Sequence, residues 1–196
     1  MITFGLTGSI GMGKTTAGQM LEYLGCPVHD SDASVKAALE PHGKAFEAVA
    51  LTFPKSWDKK KRVLKKDYLS RVIFSDPHQK KKLENILHPI VRAEQKEFIF
   101  RQQRLGRNYC VLDIPLLFET NGEERVDKVI LVTAPYFIQR SRVLSRDGMS
   151  EEKFHKILNN QMNDLEKRAR SDYIVQTGLG KAYTMRELKQ ILKAHR

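Results

Sequence analysis

Residues 5–16 read GLTGSIGMGKTT. Gly8, Gly13, Lys14 and Thr15 satisfy the spacing G-x-x-x-x-G-K-[ST] of a phosphate-binding loop. The preceding run, ITFGL, has the length and apolarity of a buried strand. After the loop, Ala17, Met20, Leu21 and Leu24 recur at helical spacing, which predicts a helix from about Lys14 to Tyr23. CPVHD then supplies a second short strand ending at Asp30. Strand, loop, helix and strand within thirty residues make a βαβ unit, and a βαβ unit requires a parallel sheet.

The chemistry explains the residue types. Glycines let the backbone turn tightly and aim its N–H groups at phosphate oxygens, and the helix that opens there adds its positive end. Lys14 is placed to reach the β- and γ-phosphates, and the Thr15 hydroxyl suits Mg²⁺. Gly8, Gly13, Lys14 and Thr15 are therefore candidate nucleotide-binding residues, with ATP the expected nucleotide, although the loop alone does not separate ATP from GTP, and Thr15 the candidate metal ligand.

Beyond Asp30 the pattern changes. Residues 31–107 contain no convincing strand, and helical spacings dominate: Val35 and Leu39; Phe46, Val49 and Ala50; Leu69, Val72 and Ile73; Leu83, Ile86, Leu87 and Ile90. Pro89 lacks a backbone donor, which predicts a kink or break at His88. Strand patterns return at 109–113 and 127–134, both continuous apolar runs suited to strands covered on two faces. A helix is expected over 136–146. Ser150 is a candidate cap for the next, with Phe154, Ile157, Leu158, Met162 and Leu165 as its apolar stripe. DYIVQT reads as a last strand and 183–195 as a closing helix. The expected fold is an α/β doubly wound sheet of five parallel strands. No linker divides the chain, so residues 1–196 form one domain, with a helical insertion at 31–107 and a lid at 136–170.

The formal charge is +11, from 34 basic and 23 acidic side chains. Such a balance attracts polyanions without choosing among them. The charge is concentrated in KSWDKKKRVLKK and QKKK, although a solvated helix face accounts for runs of that kind. Apolar runs such as VILVTA are too short to cross a bilayer. The opening MITFGLTG lacks the regions of a secretory signal. Cys26 and Cys110 match no metal or redox spacing and read as buried thiols. A cytoplasmic protein with no membrane partner is expected.

The acceptor side rests on carboxylates. Asp30 and Asp32 flank Ser31 just past the second strand, and ligands of doubly wound sheets bind outside the carboxyl ends of the strands. One carboxylate can serve the metal shell while the other accepts a proton from an attacking hydroxyl, although either can instead cap the following helix. Asp113 ends the third strand of the pattern, and the IPLLFE after it lacks the paired acids of a mechanical ATPase, which favours a kinase. Arg142 and Arg146, four apart in QRSRVLSRDG, share one face of the expected helix and suit a lid that closes on a transferring phosphoryl group.

GLTGSIGMGKTT, HDSD, VIFSD…KLENILHPIV, DIPLLFE and QRSRVLSRDGMSEE…Q occur in this order over residues 3–177. Together they resemble the dephospho-coenzyme A kinase family. The resemblance implies transfer of the ATP γ-phosphoryl group to the 3′-hydroxyl of the dephospho-CoA ribose, with Mg²⁺, on a nucleotide core carrying a CoA-binding segment and a lid. It implies that Gly11 to Thr16 hold the ATP phosphates, that Asp32 is the general base, and that Arg142 and Arg146 are lid arginines. His88 and Asp113 fall in motifs that line the acceptor site. Ser9 and Met12 depart from the residues usual in that family's loop, and VQTGLG lacks the Asn usual after its last strand.

Two other readings remain open at this level. A related small-molecule kinase, acting on shikimate or a nucleoside monophosphate, would use the same carboxylate pair. A nucleic-acid-dependent NTPase would account for the charge, but the basic residues are not interleaved with stacking aromatics and no nucleic-acid module is present, so no nucleic-acid partner is expected. The sequence does not fix the oligomeric state, and a monomer is favoured.

Overall fold

The computed structural model describes residues 1–195. The chain forms two compact units: one holds Met1–Asp30 and the chain from Ile99 onward, the other Ser31–Phe98.

The first unit is built on five parallel strands: β1 (Ile2–Thr7), β2 (Val28–Asp30), β5 (Tyr109–Asp113), β6 (Lys128–Thr133) and β7 (Tyr173–Gln176). Their order in the sheet is β2-β5-β1-β6-β7. The chain leaves β1 for the β2 edge, returns at β5, and then crosses β1 to reach β6 and β7. Such a reversal opens a crevice at the carboxyl ends of the strands. The phosphate loop, Asp30, Asp113, Ala134 and Thr177 all sit at that edge, because each ends or follows a strand. Phe4, Leu6, Val111, Ile130 and Val132 of the sheet pack with Ala17 and Leu21 of α1 (Lys14–Tyr23) and Leu188 and Leu192 of α9 (Lys181–Lys193). The strands read as unbroken apolar runs because helices cover them.

Cys26 and Cys110 are free and buried. Burial, with a smaller contribution from Cys110, pushes the Cys26 thiol up to about 12, and burial raises Cys110 as well. Both stay protonated and unreactive at neutral pH.

Residues 136–170 form three helices: α6 (Tyr136–Leu144), α7 (Glu151–Leu158) and α8 (Asp164–Ala169). Ser150 caps α7, its Oγ accepting from Lys153 N at 3.3 Å. The single apolar stripe expected from Phe154 to Leu165 is cut in two. Asn163 starts a new helix, its Oδ1 accepting from Leu165 N at 2.8 Å, and Leu165 is left exposed. Arg146 also lies beyond the end of α6, so it does not share a helix with Arg142.

The base of this segment is tied down by a buried ion pair. Lys167 is fully buried, its ammonium 2.9 Å from Glu119 Oε1, and the same oxygen accepts from Met162 N at 2.9 Å. Removing one partner of such a pair strands a buried charge and costs about 3–5 kcal/mol. Glu119→Gln is expected to lower the melting temperature by roughly 10 °C, while adding Lys167→Met, with the Gln oxygen still facing Met162 N–H, restores most of it. Equal melting losses in the single and double variants would show that the pair is not the stabilising unit.

The second unit is helical: α2 (Ser31–Leu39), α3 (Phe46–Thr52), α4 (Lys66–Ser75) and most of α5 (Pro77–Arg104). Val49, Phe53, Leu64, Leu69, Leu83 and Leu87 form its core. Two expectations are corrected here. A hairpin of two-residue strands, β3 (Trp57–Asp58) and β4 (Val63–Leu64), lies in the supposedly strandless stretch. The helix does not break at His88, because α5 runs through Pro89. Leu83, Leu87 and Val91 are buried on both sides of the proline, and that packing outweighs one lost backbone donor. The last turn and a half of α5, from Ile99, belongs to the first unit.

Candidate active site

The phosphate loop turns through left-handed backbone at Gly11 (φ +78) and Gly13 (φ +88). A Cβ on Gly11 would stand 2.6 Å from Val143 Cγ2 and 2.9 Å from the Gln139 carbonyl oxygen, so both conformation and space demand glycine. Gly13 is the residue before α1, and no side chain caps that helix. Its first turn also carries no acidic residue. The leading amides of α1 thus face the crevice with their positive end uncompensated, which is the arrangement that binds phosphate. Thr15, in that first turn, is exposed. Met12 is 3% exposed, its sulfur facing Ala134 N, so the larger side chain points into the core.

Lys14 and Asp113 meet although 99 residues apart, with Nζ 2.6 Å from Oδ1. Their side chains are 16% and 8% exposed. Pairing of β1 with β5 places Leu6 beside Asp113, and pairing of β2 with β5 places Asp30 beside Asp113. Two carboxylates and the lysine are thereby gathered at the end of the sheet. Arg142 reaches the far side of the loop: Nη2 donates to the Thr177 carbonyl and Nη1 to Thr177 Oγ1, both at 2.9 Å. Thr177 Oγ1 in turn donates to the Met12 carbonyl at 2.8 Å. Arg146 is exposed in the turn after α6.

A cavity of about 520 Å³ lies beside the loop, lined among others by Ser9, Met12, Tyr136, Gln139, Gln161 and Arg168. Arg168 is held there by Asp164 Oδ2 at 2.7 Å and donates to Thr133 Oγ1 at 3.1 Å. Sequence reasoning missed Thr177, Gln139, Gln161 and Arg168. Thr177 carried a signal as the residue just past the last strand, and Gln139 opens the QRSRVLSRDG run, but neither context gave a role at the loop.

Asp32 and His88 belong to the helical unit. Asp32 is exposed in the first turn of α2, two residues after β2 ends. The start of α2 is fixed on α5 by a buried bond from Gln95 Nε2 to Ser31 Oγ at 2.9 Å. His88, half-buried, lies seven residues before Gln95 and so on the same face of α5.

A family model described as dephospho-CoA kinase matches residues 2–181. The chain belongs to the dephospho-CoA kinase family. A dephospho-CoA kinase of Mesorhizobium japonicum is 45% identical over 192 residues, covering 98% of this chain and 95% of the relative. One of Rhizobium meliloti is 44% identical, covering 98% and 97%. Among solved structures, the dephospho-CoA kinase of Campylobacter jejuni superposes with a TM-score of 0.72 at 27% identity, covering 97% of this chain and 95% of that one. TT1252 of Thermus thermophilus gives 0.86 at 33%, covering 98% and 96%. A shikimate kinase of Acinetobacter baumannii, in complex with shikimate, shares the fold at 0.56 and 16% identity, covering 99% and 92%.

Proposed function

We infer that this chain transfers the γ-phosphoryl group of ATP to the 3′-hydroxyl of dephospho-CoA, yielding coenzyme A and ADP. The observation that carries the reading is the uncapped, left-handed entry to α1 with Lys14 beside it, in a chain of this family.

The hydroxyl oxygen attacks the γ-phosphorus, the bond to the β–γ bridging oxygen breaks, and the hydroxyl proton passes to the Asp32 carboxylate. Gly8, Gly11, Met12, Gly13, Thr15 and Thr16 shape the phosphate site, and Lys14 exchanges Asp113 for phosphate oxygens. Arg142 acts on the transferred charge and Arg146 on the nucleotide as the lid closes. Asp32, His88 and Asp113 are the residues assigned to the acceptor.

The residues fit Mg²⁺ held mainly by substrate. Thr15 offers an exposed hydroxyl, and Asp30 and Asp113 offer hard oxygens at the strand ends. Among the described residues no three His, Cys, Asp or Glu cluster as a closed metal cage. Mg²⁺ that keeps its waters and rests on phosphates and one or two protein oxygens needs no such cage. The ion supplies charge neutralisation on the phosphate oxygens. No helix among the described residues is long and apolar enough to cross a membrane.

The test is ADP release with Mg²⁺·ATP in the presence of dephospho-CoA, shikimate, nucleoside monophosphates, single-stranded RNA or no acceptor. Release that depends on dephospho-CoA, with CoA formed in equal amount, is expected. Turnover on another acceptor and none on dephospho-CoA would overturn the acceptor assignment.

A further inference from the structure

Both backbone polar groups of Ile10, at the centre of the phosphate loop, are held by glutamine side chains from the lid segment. Gln139 Nε2 donates to the Ile10 carbonyl at 2.8 Å, and Gln161 Oε1 accepts from Ile10 N at 3.1 Å. Gln139 sits on α6 and is 3% exposed, while Gln161 lies between α7 and α8. Two glutamines, 22 positions apart in sequence, thus grip one residue from two directions.

The surroundings make the grip stiff. Gly11 lets the Gln139 backbone lie against the loop, where a Cβ would meet the Gln139 carbonyl at 2.9 Å. Gln161 is followed by Met162, whose N–H is fixed to Glu119 Oε1 beside the buried Lys167 ammonium. Neither glutamine is therefore free to wander from Ile10. The Ile10 N–H is spent on Gln161 and the Met12 N–H on the Ser9 carbonyl, which leaves phosphate to other amides of the loop and to the first turn of α1.

We propose that Gln139 and Gln161 are positioning residues for ATP: they clamp Ile10 and preset the path of the phosphate loop before the nucleotide arrives. A preset loop binds phosphate without first losing backbone freedom, so the clamp contributes to nucleotide affinity without touching the nucleotide. It also makes the loop's shape depend on the lid, because both gripping side chains come from residues 136–170. The inference rests on the kinase reading only for the identity of the nucleotide.

Titration calorimetry of Mg²⁺·ATP, with no acceptor present, tests the clamp apart from the acceptor assignment. Gln161→Met, at a half-buried position outside any helix, is the first variant. It is expected to weaken ATP binding about tenfold, with the KM for dephospho-CoA and the melting temperature unchanged. Gln139→Met is expected to weaken binding by a similar factor. Because both grip one residue, the double variant should lose much less than the product of the single losses. ATP affinity within twofold of the parent in Gln161→Met would overturn the proposal. So would fully multiplicative losses, or a parallel rise in the KM of both substrates with a fall in melting temperature.

Discussion

Lys14→Ala is expected to lower kcat about a thousandfold and to weaken ATP binding as well. The lysine ammonium is 2.6 Å from Asp113 Oδ1, and the two side chains are 16% and 8% exposed. Little water reaches either group, so the charge acts at short range through a poorly screened medium. When ATP enters, its β- and γ-oxygens supply a denser negative partner than one carboxylate, and the flexible lysine stem can swing between them. Alanine removes that cation in both the ground state and the transition state, hence the double effect on binding and turnover. It also removes the ion pair that Asp113 makes with Lys14, so some stability is lost. Lys14→Met combined with Asp113→Asn separates the two consequences. It should recover the melting temperature but not kcat. Calorimetry with ATP and the ADP-release rate are the measurements, and undiminished activity in Lys14→Ala would refute the phosphate-loop reading.

The parts of the fold legible in the sequence are those fixed by local chemistry. The glycines at 8, 11 and 13, set between an apolar run and a helical one, placed β1, the loop and α1 because backbone geometry there admits few residues. The strands at 109–113 and 128–133 declared themselves by being apolar on both faces. Where a local rule competed with packing, packing won: α5 passes through Pro89 because Leu83, Leu87 and Val91 are buried around it. Where a local signal was one residue wide, it was overlooked. Met162 and Leu165 continue the helical period of Phe154, and only the Asn163 cap divides α7 from α8. The β3–β4 hairpin, with two residues a side, is below the length at which any period can be read. The contacts of the phosphate loop were the least legible part. Thr177, Gln139 and Gln161 join it from more than 100 positions away, and no spacing in the sequence encodes that meeting.

Asp32→Asn is expected to lower kcat by about 10²- to 10⁴-fold with the KM for ATP unchanged. The carboxylate stands in the first turn of α2, and the Gln95–Ser31 bond anchors that turn from the other side. Asparagine keeps the shape of the side chain. Losing a negative charge at a helix N-terminus costs about 0.3–1 kcal/mol, too little to unfold the unit. A fall in turnover would therefore report chemistry and not structure. The amide cannot accept the hydroxyl proton, so the nucleophile must attack while still protonated. A helix-capping role for Asp32 predicts the opposite balance: a small stability loss and near-normal turnover. Near-parental kcat in Asp32→Asn would transfer the role of base to another residue, with Asp30, at the end of the sheet, the next to substitute.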